Sequence, residues 1–147
     1  MHFWATYKKI GLTAVIFIIS FLAVNAQVGD SLTVAKYNQL ALYQISLAKY
    51  DEAIKYCDSA LAISENATSY YYLAYTNNIK NKWDEAIKYG IRSAKLNPGF
   101  MRIYAELFNA YYGAHRWKDA VDISEKAQQA DSSNYMNDRI NNANTSL

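Results

Sequence analysis

Apolar residues recur along this chain at helical spacing and in blocks of constant length. Tyr37, Leu40 and Ala41 share one face of a first block, Tyr70, Leu73 and Ala74 of a second, and Tyr104, Leu107, Phe108 and Tyr111 of a third. Each block is followed by a short polar stretch and then by a near-copy of one segment: Tyr50-Asp51-Glu52-Ala53-Ile54, Trp83-Asp84-Glu85-Ala86-Ile87 and Trp117-Lys118-Asp119-Ala120-Val121. The alanines of these copies stand 33 and 34 residues apart. A further apolar face follows each copy, marked by Ala60 and Leu61, by Ser93, Ala94 and Leu96, and by Ala127 and Ala130. The pattern predicts helix, tight turn and helix, three times over.

Such a unit cannot cover its own apolar face, so it must stack on the next one. Ala41 and Ala74 in the first helices are expected to face Ala53 and Ala86 in the second helices, where small side chains permit close approach of the axes. Ser31 or Thr33 is expected to cap the first helix, and Asp131, Ser132 and Ser133 a last one. That last helix, around residues 134–142, would turn Tyr135, Met136 and Ile140 inward. Pro98 closes the second unit because proline lacks the amide donor that a helix needs.

The start of the chain follows a different rule. Met1 to Lys9 is short and basic, Ile10 to Val24 is uncharged and apolar throughout, and Val24-Asn25-Ala26 sets small residues ahead of Gln27. This is the order of a secretory signal peptide cut after Ala26, with a periplasmic or secreted destination. The alternative is an uncleaved membrane anchor, since about 15 apolar residues fall short of the roughly 20 that span a bilayer but can be extended by their flanks. No cysteine near the apolar run offers a site for lipid.

The period and the in-phase residues resemble the tetratricopeptide repeat family. The resemblance implies an all-α fold, a right-handed superhelical stack of three helix-turn-helix units plus a C-terminal capping helix. The organisation that follows is a signal peptide at 1–26, a short lead-in at 27–33, repeats at about 34–66, 67–100 and 101–134, and a capping helix with a frayed tail at 135–147. Three positions depart from the family: Phe108 stands where a small residue is usual, and Gln44 and Asn77 stand where a tyrosine is common. A splayed third pair is expected from the first of these. The resemblance also places the first helices on the concave face. The groove residues are then Asn38, Leu42 and Ile45 from the first unit, Tyr71, Tyr75 and Asn78 from the second, and Arg102, Asn109 and Tyr112 from the third. For Tyr71 and Tyr75, four apart on one face, contact with a partner and packing between helices both stay open. Some family members grip a chaperone's carboxylate tail with lysines, arginine and asparagines. The matching places here hold Asn38, Leu42, Tyr72, Arg102 and Glu106, of which only Arg102 suits that task.

Composition narrows the function further. Aromatic residues make up 15% of the chain, including 14 tyrosines, which argues against disorder. Lys8 and Lys9 account for the whole net charge of +2, so the chain after residue 26 is neutral and carries no electrostatic footprint for nucleic acid. One cysteine excludes an internal disulfide. Cys57, four residues after Ala53, falls on a packing face, and His115 falls in a turn, so no nucleophile and base are paired. The spacing of Cys and His offers no metal site, and no cofactor is expected. Asp51-Glu52 and Asp84-Glu85 recur in phase at predicted helix starts, where the helix dipole favours negative charge. The expected function is therefore non-catalytic binding of a protein or peptide in the concave groove. Self-association by end-to-end stacking is the alternative, or a membrane-tethered scaffold if the leader is retained.

Overall fold

A computed structural model of the chain describes residues 3–130. The expected cap at Asp131, Ser132 and Ser133 and the capping helix at 135–147 lie outside the described residues. Within them the protein is all-helical: α1 (Phe3–Ser46), α2 (Tyr50–Ile63), α3 (Ala67–Ile79), α4 (Trp83–Leu96), α5 (Met101–Gly113) and α6 (Trp117–Ala130). The end of α1 pairs with α2, α3 with α4, and α5 with α6. The first helices also touch their counterparts in the next unit, α1 with α3 and α3 with α5. The first-helix layer is therefore the tighter, inner side of the stack.

Small side chains and in-phase aliphatics make the core. Ala41, Ala53, Ala74 and Ala86 are all buried, with Leu73, Ile103 and Leu107 as the largest enclosed aliphatics. Glycine serves the same end at one helix contact the periodicity does not reveal. A Cβ added at Gly90 would come within 2.6 Å of Leu107 Cδ2, so α4 and α5 approach at a point with no room for a side chain. Phe108 is buried against Ala120, Tyr111 and Ile123, and α5 packs less extensively on α6 than α3 does on α4. Asn77, lacking the bulk of a tyrosine, turns its buried amide back onto its own helix and donates to Leu73 O at 2.7 Å.

Each turn within a pair is built the same way. Ala48, Asn81 and His115 adopt left-handed φ values of 56°, 56° and 58°. The next amide donates to the carbonyl five residues back: Lys49 N to Gln44 O, Lys82 N to Asn77 O and Arg116 N to Tyr111 O, each at 2.9 Å. A second bond runs from the left-handed residue itself, such as Ala48 N to Ile45 O at 2.9 Å. Together they satisfy the last carbonyls of the helix in a Schellman closure. The following helix opens on acidic residues, Asp51 and Glu52 in α2, Asp84 and Glu85 in α4 and Asp119 in α6, which complement its dipole.

One boundary differs from expectation. No helix begins at Ser31 or Thr33, because α1 runs unbroken through both. Thr33 Oγ1 donates to Gly29 O at 2.9 Å, four residues back, instead of capping an amide. A threonine inside a helix satisfies its hydroxyl in this way, and nothing around it stops propagation. Among the described side chains burial nevertheless begins at Val34, whereas Phe17, Ile18, Ile19, Val28 and Leu32 are exposed.

Candidate functional site

The inner layer carries two adjoining hollows. Leu42 and Ile45 of α1 and Tyr71, Tyr72 and Tyr75 of α3 enclose the first, of about 230 Å³. Tyr75, Asn78 and Ile79 of α3, Trp83 of α4, and Glu106, Asn109, Tyr112 and Gly113 of α5 enclose the second, of about 370 Å³. Tyr75 belongs to both. Helical spacing explains the grouping, since residues three and four apart share a face.

The nine residues assigned to the groove by phase divide into three groups. Leu42, Ile45, Tyr71 and Tyr75 come together in the first hollow, and Tyr75, Asn78, Asn109 and Tyr112 in the second. Arg102 is exposed on α5 and lines neither. Asn38 also lines neither, because its amide joins α1 to the start of α3. Its Nδ2 donates to Asn66 Oδ1 at 3.1 Å and its Oδ1 accepts from Ser69 Oγ at 2.6 Å. Asn66 in turn caps α3 by accepting from Ser69 N at 2.8 Å. Trp83, Ile79, Glu106 and Gly113 were not in the phase assignment. Trp83 opens a second helix and reaches the inner face because a glycine lies under its ring, where a Cβ at residue 113 would meet the indole at 2.8 Å. The only sequence signal is Gly113 itself, at a helix end that the left-handed His115 two residues on, not the glycine, completes.

Tyr71 packs against neighbouring rings and also lines the first hollow. Its ring meets Phe100 edge-on at 4.9 Å and lies 5.4 Å from Tyr72 and 6.5 Å from Tyr75, while its remaining surface lines the hollow. Burial pushes the Tyr71 hydroxyl above its ordinary pKa, and the Glu106 carboxylate adds to the shift while Arg102 opposes it. Burial likewise raises Tyr72 and Tyr75. These hydroxyls are neutral donors across the physiological range. Tyr70, one position back, is a core residue: it is buried, stacks on Tyr89 at 6.2 Å and donates to Glu65 Oε1 at 2.9 Å.

Among the described residues no group of His, Cys, Asp and Glu is arranged to hold a metal ion. Cys57 is fully buried beside Ala41, Tyr70 and Leu73, and burial pushes its thiol up to about 12. His115 stands exposed in its turn with its ring 5.1 Å from that of Trp117.

The fold is that of tetratricopeptide repeat domains. A TPR domain of Arabidopsis OM64 superposes with a TM-score of 0.73 at 12% identity, covering 80% of this chain and 99% of that one. The first TPR of Spaghetti (RPAP3), solved bound to the HSP90 peptide SRMEEVD, superposes at 0.73 and 15% identity over 78% and 95% of the two chains. MamA of RS-1, as a double mutant, superposes at 0.68 and 17% identity over 76% of this chain, and the match spans 64% of the MamA chain. No protein-family model matches the sequence, and no curated protein sequence does.

Proposed function

We propose that this protein is an exported, non-catalytic module that binds a peptide or helix of another protein on the inner face of its repeats. The observation that carries this reading is the pair of hollows sharing Tyr75, walled by aromatic residues on the layer where the first helices converge. Aromatic side chains supply large contact area at low entropic cost and dominate binding surfaces. The repeat domain of Spaghetti (RPAP3) solved with an HSP90 peptide supports peptide binding by this fold. Capture of an acidic tail is not proposed, since Glu106 stands at one clamp position and Asn38 is committed to joining α1 and α3.

Truncating Tyr71 and Tyr75 together to alanine tests the reading. Capture of the envelope partner should weaken by roughly 2 kcal/mol, about thirtyfold, with the helical circular dichroism signal retained. Normal capture by a variant that melts far earlier would make both tyrosines packing residues and move recognition elsewhere.

Export rests on the leader at residues 1–26 and on the absence of buried side chains among those described before Val34. A second reading, a retained membrane tether, is favoured by the continuity of α1 from Phe3 through Ala26 to Ser46 with Phe17, Ile18 and Ile19 exposed.

A further inference from the structure

The two hollows differ in chemistry. Hydrocarbon and tyrosine rings alone wall the first. The second joins three aromatic residues, Tyr75, Trp83 and Tyr112, to the Glu106 carboxylate and the Asn78 and Asn109 amides, and no lysine or arginine lines it. Glu106 is held in place from α3, where Asn78 Nδ2 donates to its Oε2 at 2.8 Å and to its backbone oxygen at 2.9 Å. Those two bonds use both amide hydrogens and fix which way the amide faces. Asn78 Oδ1 is left as an acceptor without a partner, on a side chain 8% exposed. That oxygen is enclosed, so it is a cost of holding Glu106 and is out of reach from the hollow. The ring faces and the carboxylate of the hollow favour a positively charged N–H donor and disfavour an anion.

We propose that this second hollow takes the cationic side chain, lysine or arginine, of a bound peptide whose neighbouring apolar residue fills the first hollow. The proposal rests on the groove reading above and names the partner's chemistry.

The test titrates the whole chain with three acetylated pentapeptide amides of sequence ALAXA, in which X is lysine, norleucine or glutamate. Binding is followed by the indole N–H resonance of Trp83. The lysine peptide should bind at least about tenfold tighter than the norleucine peptide, with glutamate weakest and the preference shrinking as salt is added. Glu106→Gln keeps an acceptor for Asn78 and should bring the ratio of lysine to norleucine affinity to about one. Equal binding of the three peptides, or a lysine preference that survives Glu106→Gln, overturns the proposal. If that variant does not fold, the comparison on the unaltered chain decides. Binding by none of the three also overturns it, and the groove reading is then judged separately by the Tyr71 and Tyr75 double variant.

Discussion

Ala48, Asn81 and His115 hold the same left-handed backbone in three successive turns, and only the asparagine is suited to it by its side chain. For Ala48 the conformation costs about 1–2 kcal/mol, and a glycine there avoids it at a loss of about 0.4–1 kcal/mol in unfolded-state entropy. Ala48→Gly should therefore stabilise the protein by about 0.5–1 kcal/mol in urea unfolding. Ala35→Gly, in the exposed interior of α1, should cost about 1 kcal/mol, and a shared sign at the two sites would mean that the turn is not strained. Cys57 gives a second test at this scale. With its thiol pushed up to about 12 by burial, it stays protonated and enclosed across the usual pH range. Ellman's reagent at pH 8 should find no thiol in the folded chain and one after denaturation, whereas rapid native labelling would place Cys57 at the surface.

At the scale of elements, the structure depends on how closely neighbouring helices of successive pairs approach. Ala86 is 1% exposed and packs with Ile87 and Ala110 between α4 and α5, so added volume there must displace a helix. Ala86→Leu should destabilise by about 1–3 kcal/mol through overpacking. Lys88→Leu, exposed on the same helix, should fall within about 0.5 kcal/mol of the parent. Equal effects at the two positions would remove the proposed helix contact. The alanine phase in the sequence marked Ala86 for close packing but set it against Ala74 of α3, and it revealed neither Ala110 nor Gly90. A glycine in a helix lowers propensity wherever it stands, and only the position of Leu107 shows why it is required.

For the whole molecule, α1 carries residues 3–26 and the first helix of the repeats in one backbone run, and none of its described side chains before Val34 is buried. Burial starts at Val34, eight residues beyond Ala26, so removal of residues 1–26 takes no described side chain out of the core. Intact-mass measurement of exported protein should give a chain beginning at Gln27. Retention of Met1 in membrane fractions would select the tether instead. Loss of residues 1–26 should leave the melting temperature of the repeats unchanged within a few degrees, since none of the described side chains among them is buried.

The sequence alone determined the helical class, the repeat length and the pairing of helices. All of these follow from periodicity, which is a local property of the chain and survives without knowledge of neighbours. The start of the first helix was not legible, because Thr33 has the same side chain whether it caps an amide or bonds a carbonyl four residues back, and α1 takes the second course. Asn38 has the right phase for the groove yet spends its amide on Asn66 and Ser69, 28 and 31 residues away. Trp83 has the wrong helix for the groove yet reaches it over Gly113. These outcomes depend on which groups from distant units meet, and stacking of the repeats alone decides that. The Asn78 and Glu106 bond that gives the second hollow its charge is of the same kind, formed across α3 and α5 by two residues that no local pattern connects.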